Sequence, residues 1–152
     1  MNIAHVGFTV SDLDAAIAFF ENHFGFVLHS RQLQDNPYTR ATVGVPDAVI
    51  DNAILTADGA GGSELQLLEY RSPKDAGTFA PVQQPGATHL ALAVEDIHQL
   101  YQRTEAAGLV FSSPPNLIDS GRNAGGYIAY AIGPDGLRVE LFQPAPVPVP
   151  AQ

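Results

Sequence analysis

Apolar and polar residues alternate near the N-terminus, and this alternation predicts a strand over residues 3–10. Because side chains along a strand point to opposite faces in turn, Phe8 and Val10 should share one face and His5 the other. Apolar residues then recur at helical spacing, with Ser11 or Asp12 as the N-cap and Gly25 as the terminator. The chain therefore begins with a strand followed by an amphipathic helix.

Three further strands are predicted in the first half of the chain, at residues 26–33, 48–57 and 63–70. The last two form a hairpin around the glycine-rich turn 58–62, and residues 34–47 are expected to be a loop. The second half repeats this order, with a helix ended by Gly108. Its elements are a strand at 87–94, a helix at 96–107 and strands at 109–112, 126–132 and 137–143.

An internal repeat relates the two halves. Aligning His5 with His89 also aligns Val10 with Val94 and Asp12 with Asp96, and "GSELQLLE" aligns with "GLRVELFQ" at a constant offset. We therefore predict an α+β fold of two paired βαβββ modules within one structural domain. The modules span residues 1–71 and 87–144, with a linker at 72–86 and a proline-rich tail at 145–152.

Composition narrows the range of functions. The net charge of −9 disfavours nucleic acid and anionic membranes as partners, which leaves a small molecule as the expected ligand. No apolar run reaches the length of a membrane span, and the first residues lack the pattern of a signal peptide, so a cytoplasmic location is expected. The absence of cysteine excludes thiolate chemistry, so any metal must be bound by histidine, carboxylate or amide groups.

The repeat places one polar residue in the first strand and one in the last strand of each module. Burying polar groups costs a few kcal/mol each unless they are paired, so their presence in apolar strands needs an explanation. Two imidazoles, an amide and a carboxylate form a mixed N/O donor set for a divalent first-row metal ion. The four residues are His5, Gln66, His89 and Glu140. Glu69 is the rival to Gln66, but strand alternation turns it to the opposite face. Glu64 shares the face of Gln66 but lies at the start of the strand, near the hairpin turn, so Gln66 is preferred.

The sequence resembles the vicinal oxygen chelate superfamily, which includes glyoxalase I, methylmalonyl-CoA epimerase, extradiol dioxygenases and the bleomycin resistance proteins. The resemblance rests on "HVGFTVSDLDAAIAFFENHFGF", "LQLLEYRSP", "THLALAVEDI" and "NAGGYIAYAIGPDGLRVELFQP". It implies that paired βαβββ modules form a cup-shaped mixed sheet around a metal site with His5, Gln66, His89 and Glu140 as ligands. It also implies a homodimer.

The ligand pattern is most similar to that of the epimerase and glyoxalase I branches. This similarity implies a divalent-metal-dependent isomerase or lyase that acts on a small oxygen-chelating metabolite through a metal-bound enediolate. The ion is Ni, Co, Zn, Mn or Fe, and Glu140 would also be the catalytic base. No second glutamate is assigned to the metal site, which argues against a two-base epimerase.

Two other functions remain open. An Fe(II)-dependent extradiol-type dioxygenase would use His5, His89 and Glu140 as a facial triad, and Tyr130 precedes Glu140 by the ten residues typical of those enzymes. Against this function, the second-sphere histidine motif of those enzymes is missing from "DSGRNAGG". A metal-free binding protein of the bleomycin-resistance type would instead use the cup as an acidic, apolar pocket.

Four residues are candidates for substrate binding. Arg122 and Asn123 lie in a glycine-rich loop that precedes a strand of the predicted cup, where they suit a carboxylate or phosphate. Arg40 lies in the other long loop. Tyr130 lies in a core strand, where packing is its more common role.

Overall fold

The computed structural model describes residues 3–57, 63–75 and 77–146. The chain divides into two compact units, Met1–Thr78 and Phe79–Gln152, and the division falls inside the proline- and glycine-rich stretch 72–86. The predicted turn at 58–62 and the end of the tail, 147–152, lie outside the described residues.

The first unit is a four-stranded sheet with two helices. Its strand order is β1-β4-β3-β2, in which β1 and β4 are parallel and the other neighbours are antiparallel. The elements are β1 (His5–Thr9), α1 (Leu13–Phe24), β2 (Val27–Gln34), α2 (Pro37–Val43), β3 (Val49–Thr56) and β4 (Glu64–Ser72).

The second unit repeats this connectivity. Its strand order is β5-β9-β8-β6, again with the first and last strands parallel, and β7 pairs separately with β8. The elements are β5 (His89–Ala93), α3 (Ile97–Ala106), β6 (Val110–Phe111), β7 (Asn116–Leu117), β8 (Tyr127–Ile132) and β9 (Arg138–Gln143). The predicted α+β class and the two βαβββ modules are confirmed.

The helix after the first strand of each unit begins at an aspartate. Oδ1 of Asp12 accepts the amide proton of Ala15 at 2.9 Å, and Oδ1 of Asp96 accepts that of Gln99 at 2.9 Å. These bonds satisfy amides that have no partner within the helix. The helix α1 ends at Gly25, whose φ of 70° is the left-handed conformation that glycine adopts without steric cost.

The helix α2 was not predicted, since residues 34–47 were expected to be a loop. Asn36 is its N-cap and accepts the amide proton of Thr39 at 2.9 Å, Pro37 begins the helix, and Gly44 ends it at φ 72°. Asn-Pro at the start and glycine at the end are the signals of a short helix. The helix has no apolar stripe that would have revealed it in the sequence, and Thr39 is its one buried residue.

One face of each sheet packs against a helix, α1 in the first unit and α3 in the second. In β4, Leu65 and Leu67 are buried against α1 and alternate with the half-buried Gln66. In β9, Val139 and Leu141 are fully buried on the α3 side of the sheet, and they flank the half-buried Glu140. Complete burial of a side chain such as Leu67 stabilises the fold by about 1.5–3 kcal/mol. The apolar core therefore lies on the helix side, and the residues of chemical interest lie on the opposite face.

Within the described part of the chain, no helix combines the length and the apolar character needed to cross a membrane.

Candidate active site

The strand register makes the two predicted ligand pairs structurally equivalent. In the first unit, Gln66 is the Cα partner of Gly7, two residues after His5 on β1. In the second unit, Glu140 is the Cα partner of Ala91, two residues after His89 on β5. Each pair therefore lies on one face of its own sheet, on neighbouring parallel strands.

In the second unit the predicted residues are in direct contact. Nε2 of His89 lies 3.1 Å from Oε2 of Glu140, and the hydroxyl of Tyr130 donates to the same oxygen at 2.7 Å. The His89 ring also packs edge-on against the Tyr130 ring, with centroids 5.6 Å apart. The His89 side chain is half exposed, whereas the Glu140 side chain is only 14% exposed. The carboxylate is therefore mostly covered, and the imidazole beside it is accessible to solvent.

Tyr130 has a second role besides packing. Its burial and its hydrogen bond to Glu140 raise the pKa of the phenol to about 12. The hydroxyl therefore keeps its proton at neutral pH and acts as a hydrogen-bond donor to the carboxylate.

A cleft of about 460 Å³ opens beside His89 in the second unit, a volume within the range of small-molecule sites. Its polar lining consists of Thr88, His89, Ser112, Tyr130 and Arg138. Its apolar lining consists of Val82 and Ala87.

Gln66 is the corresponding donor in the first unit. Its Oε1 lies 3.3 Å from the position that a Cβ on Gly7 would occupy, so the amide lies directly over the glycine. This contact confirms that Gln66 points to the face of Gly7, which is also the face of the exposed His5.

Glu69 points to the opposite face, as strand alternation predicts. It is 3% exposed, and its Oε2 accepts the amide proton of Leu13 at 3.0 Å, at the start of α1. Gln143 does the same in the second unit, where its Oε1 accepts the amide proton of Ile97 at 2.8 Å. Glu69 therefore stabilises the first turn of a helix and is removed from the candidate ligands.

A charged cluster surrounds Asp51 on the helix side of the first sheet. Arg31 donates two hydrogen bonds to the carboxylate, at 3.1 and 2.9 Å, and Arg71 donates one at 2.9 Å. The Arg31 guanidinium is the main cause of a lowered pKa for the Asp51 carboxyl, which burial partly offsets. Asp51 is 8% exposed, so this cluster is structural.

Two further charged residues lie on the ligand faces: Glu64, which the sequence placed there but did not take as a ligand, and Arg138, which the sequence did not assign. Glu64 is the Cα partner of His5, and Arg138 is the Cα partner of His89. The signal for Arg138 was present as well, because it precedes Glu140 by two residues and strand alternation puts it on the same face. Glu64 is therefore a second carboxylate on the Gln66 face, at the first residue of β4, as strand alternation predicts.

The remaining predicted residues lie elsewhere. Arg40 is in α2 and pairs with Asp35. Arg122 and Asn123 lie exposed in the turn before β8, and the backbone carbonyl of Asn123 accepts the amide proton of Gly126 at 3.1 Å. Neither residue belongs to the cleft beside His89, so their part in substrate binding stays a prediction.

The His89–Glu140 contact fits a metal-ligand pair. Two donors that each lie about 2.1 Å from one ion are separated by roughly 3.0 Å in an octahedral site and roughly 3.4 Å in a tetrahedral one, a range that includes the 3.1 Å between Nε2 and Oε2. Each unit supplies two of the four predicted donors. Among residues 3–57, 63–75 and 77–146, no cluster of three or more histidine and carboxylate side chains is arranged around one point. The four-ligand set stays a prediction.

Residues 2–141 match the Glyoxalase/Bleomycin resistance protein/Dioxygenase superfamily. The chain belongs to this superfamily. The predicted family resemblance is thereby confirmed over nearly the whole described chain.

Similar proteins include two named enzymes. The chain is 30% identical over 154 residues to the 2-epi-5-epi-valiolone epimerase of an Actinomyces species, covering 99% of this chain and 84% of the epimerase. It is 29% identical over 147 residues to a lactoylglutathione lyase of Arabidopsis thaliana, covering 96% of this chain and 45% of the lyase. The chain thus spans about half the length of that lyase.

Solved structures of the superfamily share the fold. A glyoxalase family protein of Bacillus cereus superposes with a TM-score of 0.81 over 96% of this chain and 95% of its own, at 22% identity. The glyoxalase I of Zea mays gives a TM-score of 0.66 over 97% of this chain and 46% of its own, at 24% identity. At these identities the superpositions establish the fold alone.

Proposed function

We propose that this chain is a divalent-metal-dependent isomerase or lyase of the glyoxalase and epimerase type. The observation that carries the proposal is the equivalence of the two donor pairs, His5 with Gln66 and His89 with Glu140, in the register of their sheets. The named relatives, a lyase and an epimerase, support the same reaction class.

In this proposal the four side chains hold one ion, with one donor pair from each βαβββ module. When bound, the ion would supply Lewis-acid polarisation of a substrate oxygen, which would acidify the neighbouring C–H group. The net charge of the ligand set is −1, because Glu140 is the one anionic donor.

Glu140 is the proposed base. Its Oε2 accepts the Tyr130 hydroxyl and lies against His89, whereas Oε1 has no hydrogen bond to any residue that the structure describes. Tyr130 therefore fixes the carboxylate through one oxygen and leaves the other to accept a proton from a substrate carbon and return it to a neighbouring one.

The test follows solvent deuterium. The metal-loaded protein is incubated in D₂O with lactoylglutathione or 2-epi-5-epi-valiolone, the compounds named for its relatives, or with the 2-hydroxy acid mandelate, and deuterium at carbon in any of the three is followed by NMR. We expect incorporation by the native protein, a loss of roughly 100-fold or more in Glu140→Gln, and little change in Glu69→Gln. Full turnover by Glu140→Gln would remove Glu140 from the base role.

A ring-cleaving dioxygenase is the second candidate, and the Tyr130–Glu140 hydrogen bond favours it. A tyrosine beside the carboxylate of a facial triad is placed to bind a catechol oxygen. Oxygen uptake with catechols by Fe(II)-loaded protein separates the two functions. Uptake that His89→Ala abolishes would favour the dioxygenase, whereas no uptake favours the isomerase or lyase.

A further inference from the structure

Among the residues that the structure describes, Arg138 has no hydrogen-bond or ion-pair partner, and it lines the cleft beside His89. Of the seven lysine and arginine residues, Arg31, Arg40, Arg71 and Lys74 form ion pairs with carboxylates. No hydrogen bond or ion pair joins the Arg138 guanidinium to another residue within the described ranges, although the side chain is half-buried. Leaving a partly buried charge unpaired is costly, so its position suggests a ligand.

The position of Arg138 relates it directly to the proposed catalytic pair. It is the Cα partner of His89 and precedes Glu140 by two residues on β9, so all three lie on one face. Two residues of a strand span about 7 Å, which matches the length of a small acid lying along the strand. The first unit has Glu64 at the equivalent position, so the positive charge belongs to one module only.

We propose that Arg138 binds a carboxylate of the substrate and so selects small acids that carry an oxygen on the adjacent carbon, the 2-hydroxy and 2-oxo carboxylates. This inference rests on the proposed function, which places the reacting carbon beside Glu140. The guanidinium fork donates two parallel hydrogen bonds that match a carboxylate. A phosphate is less favoured because Arg138 is the one arginine or lysine that lines this cleft among the described residues.

The rest of the cleft suits such a ligand. The hydroxyls of Thr88 and Ser112 offer hydrogen bonds, and Val82 and Ala87 provide an apolar wall for the remainder of the molecule. A chain of net charge −9 repels anions overall, so an anion needs a local positive charge to bind, and Arg138 supplies that charge in this cleft.

A matched pair of probes tests the inference. Mandelate and mandelamide have nearly the same shape and the same 2-hydroxyl group but differ in charge. Binding is followed by NMR shifts of the Thr88 and Ser112 amides in the full chain, both as purified and after chelation. The chelated sample excludes binding through a metal ion. The variants are Arg138→Gln, Arg138→Lys and, as a charge-matched control on α3, Arg103→Gln.

We expect mandelate to bind at least about tenfold more tightly than mandelamide, since charge-assisted hydrogen bonds have roughly that effect. Arg138→Gln should abolish this preference, Arg138→Lys should retain part of it, and Arg103→Gln should keep it within about twofold. A preference that survives in Arg138→Gln, an equal loss in Arg103→Gln, or no shift at Thr88 and Ser112 with millimolar mandelate would each overturn the inference.

The experiment distinguishes a failure of this inference from a failure of the proposed function. An Arg138-dependent preference in a protein that takes up no metal would retain the inference and reject the metal enzyme. Metal uptake without any carboxylate preference would reject the inference and retain the metal enzyme.

Discussion

The hydroxyl of Tyr130 donates to Oε2 of Glu140 at 2.7 Å, directly across the β8–β9 pair in which their Cα atoms are partners. The two side chains thus meet on the face of the sheet that is away from the helix. A hydrogen bond to a carboxylate is stronger than one between neutral groups, so this contact fixes the orientation of Glu140. Tyr130 is therefore a positioning residue in the proposed site.

Tyr130→Phe tests that role. The ring keeps its packing against His89, so we expect the fold to persist with a loss of about 1 kcal/mol in the free energy of unfolding. Turnover should fall by about tenfold through kcat, because Glu140 loses its alignment while the substrate contacts remain. Deuterium incorporation gives the rate, and Tyr38→Phe, at a residue that is 78% exposed, is the control. An unchanged kcat would mean that Tyr130 serves packing only.

Substitutions at Glu69 test whether its carboxylate stabilises the fold without binding the metal ion. Glu69→Ala leaves the buried Leu13 amide without its acceptor, so we expect a loss of about 1–3 kcal/mol in unfolding free energy. Glu69→Gln should cost less, because Gln143 makes the same bond to Ile97 in the second unit. Neither substitution should change metal content. Chemical denaturation and elemental analysis measure the two effects, and metal loss in the folded Glu69→Gln protein would contradict the assignment.

The lowered pKa of Asp51 predicts how the free energy of unfolding declines in acid. Its pKa is lower in the folded chain than the usual 3.8, so the folded state binds fewer protons at this group than the unfolded state does. The stabilisation is therefore complete well above pH 3.8 and is lost as the pH falls through the folded-state pKa. Asp51→Asn should cost about 3 kcal/mol at neutral pH and flatten the decline of unfolding free energy in acid.

Asp35→Asn is the control for that measurement, since it removes a carboxylate from an exposed ion pair with Arg40. It should change the unfolding free energy by less than about 1 kcal/mol. A pH profile of Asp51→Asn that runs parallel to the native profile would show that the Arg31 and Arg71 contacts contribute little.

The fold was largely predictable because its signals are local. Strand alternation, the aspartate caps and the repeat fix the βαβββ order of each unit, and the structure confirms them. The helix α2 was missed because its capping signals are not accompanied by an apolar stripe. The strands β6 and β7 are each two residues long, too short for periodicity to define separately.

For the candidate site, strand alternation predicted which face of the sheet each residue lies on, but it did not predict the contacts between residues on different strands. The faces of Gln66 and Glu69 followed from alternation alone, and both are confirmed. The Tyr130–Glu140 hydrogen bond depends on the register of β8 against β9, which residue spacing does not reveal. Arg138 was overlooked because a charge in a strand is usually solvated, and its lack of a partner is visible only in three dimensions.

Metal stoichiometry tests the central claim most directly. Elemental analysis of the untagged protein, loaded with Ni, Co, Zn, Mn or Fe in turn, is compared with His5→Ala, Gln66→Ala, His89→Ala, Glu140→Ala and Glu69→Gln. The account predicts about one ion per chain in the native protein and in Glu69→Gln, and loss or clear weakening in the other four. No uptake of any ion by folded native protein would contradict it and would favour a metal-free binding protein.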